Sequence, residues 1–325
     1  MVKIAVVGCG MWGRNIIRNA ASLGILAGVC DLDQSRAAEF AKDFDTSALD
    51  FNALLEDSTI DGIMIATSAA SHEALATKAL NAGKHVYIEK PLAMTLTEAT
   101  RISQAAKSAD RQVMVGHLIR YHSAFTELQK QVENGAIGQL RHIQANRLAM
   151  GRIRATESVL FDLCPHDLSL ILSLTGSQPE QVACVGASHI TAGLVDILNT
   201  TLSFPNQVTA IMQTSWMSPY KEHRLTVSGT KGSLVFDDTK SWPEKLTLYQ
   251  DNMSRTGEVF VVERASPIAL PVVESEPLKE EVKAFAEVCT SGAPAPTDME
   301  EALCVQQVLE MMTDALLDMN KTTNN

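Results

Sequence analysis

The sequence has no apolar run of membrane length: its longest, such as Ile60–Ala66, are strand-sized, far below the roughly 18 residues a spanning helix needs. It has no C-x-x-C pair either. The six cysteines (Cys9, Cys30, Cys164, Cys184, Cys289, Cys304) are best read as small core hydrophobes in a reducing compartment. Metal-ligand spacing is missing as well, since His117 and His122 stand five apart and do not meet on one helical face, so no metal is expected. Positive charge is short: 27 Lys and Arg against 38 Asp and Glu give a formal charge of −11, which argues against a nucleic-acid partner. No internal repeat is visible. The opening Met-Val-Lys-Ile-Ala-Val-Val-Gly reads as a strand entering a glycine turn rather than an export leader, so a cytoplasmic protein with no membrane partner is expected.

What is present is a globular chain of 325 residues, 46% hydrophobic, a length that predicts two domains. Strand-like runs at Val2–Val7, Ile25–Cys30, Ile60–Ala66, His85–Ile88 and Gln112–Val115 alternate with helical stretches. Ile16, Ile17, Ala20 and Leu23 share one helical face that stops at Gly24, Glu73–Asn81 runs to Gly83, and Thr95 with Glu98 forms a capping box. Such alternation requires right-handed crossovers, hence a parallel, doubly wound α/β sheet. After Gly116 the pattern changes. Helices are predicted at Ser123–Glu133 and Pro165–Leu174, and strands at Leu140–Leu148, Gln181–Ser188, Val195–Ser203, Val208–Ser215, His223–Ser228, Ser233–Phe236, Leu246–Tyr249 and Val259–Val262. Two helices, Leu278–Thr290 and Met299–Asp318, follow, and the tail Lys321–Asn325 reads as disordered. The expected division is a dinucleotide-binding domain over 1–120 and an α+β domain over 121–325 with an open, mostly antiparallel sheet.

The sharpest local signal is Gly8-Cys9-Gly10-Met11-Trp12-Gly13 between an apolar strand and a helix. Gly8 permits the tight turn, Gly10 lets backbone amides approach a pyrophosphate, and Gly13 lets helix pack on strand. The helix N-terminus adds N–H donors and partial positive charge. Asp31, ending the second strand, can accept bonds from the ribose hydroxyls and repel a 2′-phosphate. At about 4 Å and an effective dielectric near 20, that repulsion is on the order of 4 kcal/mol, roughly a thousandfold in favour of NAD over NADP. No basic residue is expected beside Asp31, with Arg36 the nearest in sequence.

Three further segments carry a resemblance. They are Ala66-Thr67-Ser68 with His72, then Gly83-Lys84-His85-Val86-Tyr87-Ile88-Glu89-Lys90-Pro91, then Asp162-Leu163-Cys164-Pro165-His166-Asp167. With the glycine loop they resemble the Gfo/Idh/MocA oxidoreductases over essentially the whole chain. The resemblance implies a Rossmann domain, a substrate domain that builds dimers or tetramers, and catalysis by Lys90, His166 and Asp162. It implies NAD contacts from Gly8, Gly10, Met11, Trp12, Gly13, Asp31, Thr67, Ser68, His72, Glu89 and Lys90. Gly10-Met11-Trp12-Gly13-Arg14-Asn15 and the segment around Gly151-Arg152-Ile153-Arg154 look like the nucleotide-sugar branch, although Met11 replaces a tyrosine. That branch implies NAD-dependent oxidation at C3 of a UDP-N-acetylated sugar, whose product would feed an aminotransferase in amino-sugar synthesis. The corresponding uronic acid, a free sugar or inositol, and a silent NAD-sensing regulator are the alternatives.

Oxidising a secondary alcohol needs a base for the hydroxyl proton and stabilisation of charge on the oxygen. A histidine suits the first and a lysine ammonium the second. Asp162, four residues before His166, would orient the ring if both were helical, though Pro165 favours a helix start between them. Which of Lys90 and His166 takes the proton first stays open. From Arg111 to Arg154 seven Lys and Arg face only Glu127 and Glu133. Arg152 and Arg154 are therefore candidates for gripping a diphosphate, with structural ion pairing as the rival reading. His117, Arg120 and Tyr121 follow a strand end and complete the candidate substrate set with Lys90 and His166.

Overall fold

The computed structural model describes residues 2–151 and 153–323. The chain divides into two compact units, one formed by Met1–Tyr121 with Glu276–Gln307, the other by His122–Ser275 with Val308–Asn325. The expected contiguous second domain over 121–325 is thus corrected: the segment 276–307 belongs with the first unit.

In the first unit the elements run β1 (Ile4–Val7), α1 (Met11–Ser22), β2 (Leu26–Cys30), α2 (Gln34–Asp43), β3 (Ser47–Ala48), α3 (Phe51–Glu56), β4 (Gly62–Ile65), α4 (His72–Asn81), β5 (His85–Ile88), α5 (Leu96–Ala109) and β6 (Val113–Val115). The six strands are all parallel, in the order β3-β2-β1-β4-β5-β6. The order reverses at β1, which puts a ligand crevice at the carboxyl ends of β1 and β4. Thr95 caps α5 by accepting from the Glu98 amide at 3.2 Å, while the Glu98 carboxylate reaches back to the Met94 amide at 3.0 Å. Each central strand is buried on both faces, which is why these segments read as unbroken apolar runs.

The return segment explains itself through that sheet. Helix α9 from the second half of the chain (numbered after the elements below) spans Pro277–Ser291, and its Leu278, Val282, Phe285 and Val288 pack with Ile4, Val6, Met64, Tyr87 and Met114. On the sheet's other side Ala302 joins Ile63, Ile65, Ile88 and Val115. Without the segment 276–307 both faces lose part of their cover.

The second unit continues with α6 (Ser123–Glu133), β7 (Leu140–Met150), α7 (Val159–Asp162), α8 (Cys164–Thr175), β8 (Gln181–Ala187), β9 (Ile197–Ser203), β10 (Thr209–Ser215), β11 (Met217–Gly229), β12 (Ser233–Asp237), β13 (Leu246–Tyr249), β14 (Asn252–Thr256), β15 (Val259–Glu263) and β16 (Ile268–Ala269). Eight strands form one sheet in the order β16-β13-β12-β11-β7-β10-β9-β8, antiparallel except where β10 runs parallel to β7. Helix α8 is apolar on most sides and correspondingly buried, and Gly176 ends it in the left-handed region. Strand β11 starts six residues before the expected His223. Pro219 and the polar residues beside it hide this part in the sequence, and the pairing with β7 slips between Met217 and Glu222.

The last helix, α10 (Met299–Thr323), opens in the first unit and continues into the second. It extends through most of the tail expected to be disordered. No helix among the described residues is long and apolar enough to cross a membrane.

Phe285 is fully buried, with its ring edge-on to Tyr87 at 5.9 Å between centroids. Phe285→Ala is expected to destabilise the first unit by about 3–5 kcal/mol, read by denaturant unfolding, because the cavity opens under the centre of the sheet.

Candidate functional site

The glycine turn follows directly from β1. Gly8 sits at φ +104°, and a Cβ there would lie 2.6 Å from the Ala66 carbonyl oxygen. A Cβ on Gly13 would meet the Gly8 oxygen at 1.8 Å, so α1 can approach the turn only because residue 13 has no side chain. Around Gly10, by contrast, a Cβ would touch nothing within 4 Å, and Gly10 begins α1 without a side-chain cap. Gly10, Met11 and Trp12 are exposed. The turn thus offers an open helix N-terminus, with its N–H groups and partial positive charge, to an anion.

Asp31 closes β2 as expected, but in a different company. Its Oδ2 accepts the Cys9 amide at 2.7 Å, and its Oδ1 accepts the Asp33 amide at 2.9 Å. Arg36, expected to stay clear, comes within 3.5 Å of Asp31 and 3.4 Å of Asp33. The reason is local: Asp33 caps α2, which brings residue 36 around in the first turn. Arg36 is half exposed, so solvent screens its charge and Asp31 keeps most of its discrimination against a 2′-phosphate. A cradle that only glycine permits, an open amide end and a braced carboxylate together fit a dinucleotide.

Lys90 stands half-buried just past β5, joined to Pro91 by a cis peptide bond. Beside it, Glu89 is buried. Its carboxylate accepts the Tyr87 hydroxyl at 2.8 Å, the Trp12 indole N–H, and the Lys90 amide at 3.2 Å. Burial raises its pKa above the ordinary carboxylate value, and those three donors and the Lys90 charge oppose the rise. Glu89 therefore turns inward and ties the glycine loop to the Lys90 segment. Thr67 shares a hydrogen bond with Ser71 at 2.7 Å, and Ser68 is exposed. His72, expected to touch the cofactor, is instead only 1% exposed, its ring nitrogens 3.0 Å from the Pro91 oxygen and 3.2 Å from the Thr67 oxygen. It straps the two loops together from beneath.

The residues after β6 also face inward. His117 is buried against Glu301, with Nδ1 2.8 Å from Oε2. The Tyr121 hydroxyl meets Thr297 Oγ1 at 2.9 Å, and burial raises its pKa. Arg120 has its pKa lowered by burial, opposed by Glu301, Tyr121 and Asp298. His117 and Tyr121 thus pack against the return segment, which a reading along the sequence had no reason to bring there.

In the second unit α7 ends at Asp162 and α8 starts at Cys164, with Pro165 in its first turn and His166 half-buried after it. Asp162 and His166 therefore sit on two successive helices rather than one face of a single helix. The Asp162 carboxylate accepts from Arg154 Nη2 and Trp216 Nε1, each at 3.3 Å. Arg154 accordingly follows the rival reading, ion pairing, while Arg152 lies outside the described residues. Next to His166, Asp167 takes a bidentate fork from the buried Arg147, at 2.9 and 2.6 Å. Sequence reasoning missed this pair, because β7 also carries Arg141, His142, Gln144 and Asn146 and Arg147 does not stand out among them. Cys164 is fully buried against Thr214, and burial pushes its thiol up to about 12, in keeping with a core role.

The fold and the glycine turn define the first unit as an NAD-binding Rossmann domain, and comparison with known proteins extends this to both units. Residues 2–117 match the family described as "Oxidoreductase family, NAD-binding Rossmann fold", and residues 125–235 match the "GFO/IDH/MocA C-terminal domain". The chain belongs to the Gfo/Idh/MocA oxidoreductase family. UDP-N-acetylglucosamine 3-dehydrogenase from Acidithiobacillus ferrooxidans is 34% identical over 192 residues, 58% of this chain and 59% of that protein, so less than two thirds of that relative's length is spanned. A solved structure of the enzyme so named from that organism superposes with a TM-score of 0.83 at 26% identity, over 97% of each chain. Myo-inositol 2-dehydrogenase from Thermotoga maritima is 25% identical over 92% of each chain.

Two outcomes are expected here. Gly13→Ala should abolish NAD binding measured by calorimetry, because the new methyl displaces the turn itself. Asp31→Ser should shift the NADP-to-NAD ratio of kcat/KM upward by about 10- to 100-fold, less than full removal of the repulsion because Arg36 already offsets part of it.

Proposed function

We propose that this chain oxidises the C3 hydroxyl of UDP-N-acetylglucosamine to the 3-keto nucleotide sugar. The observation that carries this reading is the joint likeness, in sequence and in fold, to the Acidithiobacillus ferrooxidans enzyme of that name, with the Lys90 and His166 motifs both present. NAD supplies the hydride acceptor when bound, held by the glycine turn, the α1 amides and Asp31, with Thr67 and Ser68 alongside. The chain's own groups handle the proton and the charge. The Lys90 ammonium stabilises negative charge developing on the reacting oxygen, and the His166 imidazole receives the hydroxyl proton. Asp162, braced by Arg154 and Trp216, holds the start of α8 and thereby the approach of His166. Arg152 supplies positive charge for the diphosphate. The protein works as a homo-oligomer in the cytoplasm, and its keto product suits an aminotransferase as consumer.

The likeness to the inositol dehydrogenase over 92% of the chain supports a second reading, oxidation of a free cyclic polyol. Cofactor reduction against a panel of UDP-N-acetylglucosamine, its uronic acid, free hexoses and myo-inositol separates the two: turnover on the polyols alone would remove the nucleotide-sugar reading. On the active substrate, Lys90→Ala and His166→Ala should each lower kcat by about 10²–10⁴, with NAD affinity far less affected. Near-normal turnover in both variants would sink the assigned roles.

A further inference from the structure

Under the sheet of the first unit lies a pair of buried carboxyl groups that share one tyrosine. The Tyr87 oxygen is 2.8 Å from Glu89 Oε1 and 3.1 Å from Glu281 Oε2. Glu281, on α9, is 0% exposed, and its other oxygen, Oε1, has no hydrogen-bond partner among the described residues. A tyrosine hydroxyl carries a single hydrogen and can satisfy only one carboxylate as a donor. The second contact is a hydrogen bond only if that carboxyl brings its own proton. Glu89 already receives the Trp12 indole N–H and the Lys90 amide, both suited to an anion. Among the described residues Glu281 receives no such donors. The missing proton therefore belongs on Glu281.

We propose that Glu281 is a neutral carboxylic acid that donates to the Tyr87 oxygen, forming a fixed O–H···O–H···O⁻ chain that positions the Glu89 carboxylate joining the glycine loop to Lys90. Burial, then the charge of Glu89, raises the Glu281 pKa well above the ordinary carboxylate range, and burial raises the Tyr87 pKa as well. The groups that act on this chain are Glu89 and Lys90 after β5, the neutral Trp12 on α1, and Tyr121. Gly116 leaves the space the chain occupies, since a Cβ there would lie 2.5 Å from the Tyr87 hydroxyl and 3.0 Å from Glu89. Glu281 is thus a positioning residue, acting on Glu89 through Tyr87. That positioning role deepens the proposed use of Lys90 and rests on it; the protonation of Glu281 stands whatever the substrate.

The test reads protonation first. Infrared spectra of the wild-type holoprotein at neutral pH should contain a protonated-carboxyl stretch that shifts on deuteration and is absent from Glu281→Gln. Stability gives a second reading. Glu281 stays protonated when folded and ionises when unfolded, so the folded state binds the extra proton and wild-type stability falls as pH rises above the ordinary carboxylate range. The unfolding constant of wild type relative to Glu281→Gln should climb by up to about tenfold per pH unit there, until the folded pKa is reached. For positioning, Glu281→Leu should weaken NAD binding by about tenfold or more, and Glu281→Gln, whose amide can still donate to Tyr87, should recover most of that loss. No carboxyl band at neutral pH, a band that survives in Glu281→Gln, or a pH-independent stability ratio would overturn the proposal. If Glu281→Leu does not fold, the band and the stability ratio of Glu281→Gln decide alone. A chain inactive on every sugar would remove the proposed reaction and leave these two readings standing.

Discussion

At the carboxyl edge of the parallel sheet three backbone segments meet with no space for a side chain between them. Gly8 presses on the Ala66 backbone at the end of β4, and Gly13 brings the first turn of α1 onto the Gly8 carbonyl. Everything that could bind a dinucleotide is arranged around that contact. The α1 amides point outward from it, the Cys9 amide reaches Asp31 from it, and Trp12 extends from it to Glu89. Such an approach is steric rather than attractive. It cannot be strengthened by a better side chain, only destroyed by a larger one.

From there the structure is a set of braces. Glu89 joins the loop to the Lys90 segment, His72 joins Thr67 to Pro91, and α9 closes the face below with Phe285 and Glu281. In the second unit Arg147 and Asp167 hold α8 to β7 from inside the core, immediately beside His166. A buried pair of this kind contributes little net stability when intact, yet leaves a costly lone charge if one partner is removed. Its value lies in fixing where α8 begins.

Much of this was legible in the sequence, for reasons that differ by element. The strands β1, β4 and β5 were read to within two residues because central parallel strands must be apolar on both faces. Thr95 with Glu98 marked the start of α5, because capping chemistry is local. The short β3 and α3 went unread, since two and six residues carry too little periodicity. The inward turn of His117 and Tyr121 was hidden because their partners, Glu301 and Thr297, stand more than 170 residues away. Glu281 was hidden for the opposite reason: in sequence it is one more charge in a charged helix, and only its face, shared with Leu278, Val282 and Phe285, reveals it. Identity of the candidate site was thus local information. Its protonation and support were not.

The discontinuity of the first unit has a consequence for synthesis. A growing chain completes all six parallel strands long before the ribosome reaches Glu276, and until then part of the apolar surface around Tyr87 and Met114 has no helix over it. That bare face is the kind of surface to which holdase chaperones bind. An N-terminal fragment cut after Tyr121 keeps the whole dinucleotide turn and lacks the lining that holds it rigid, so excising this Rossmann unit by sequence boundaries alone yields an incomplete fold.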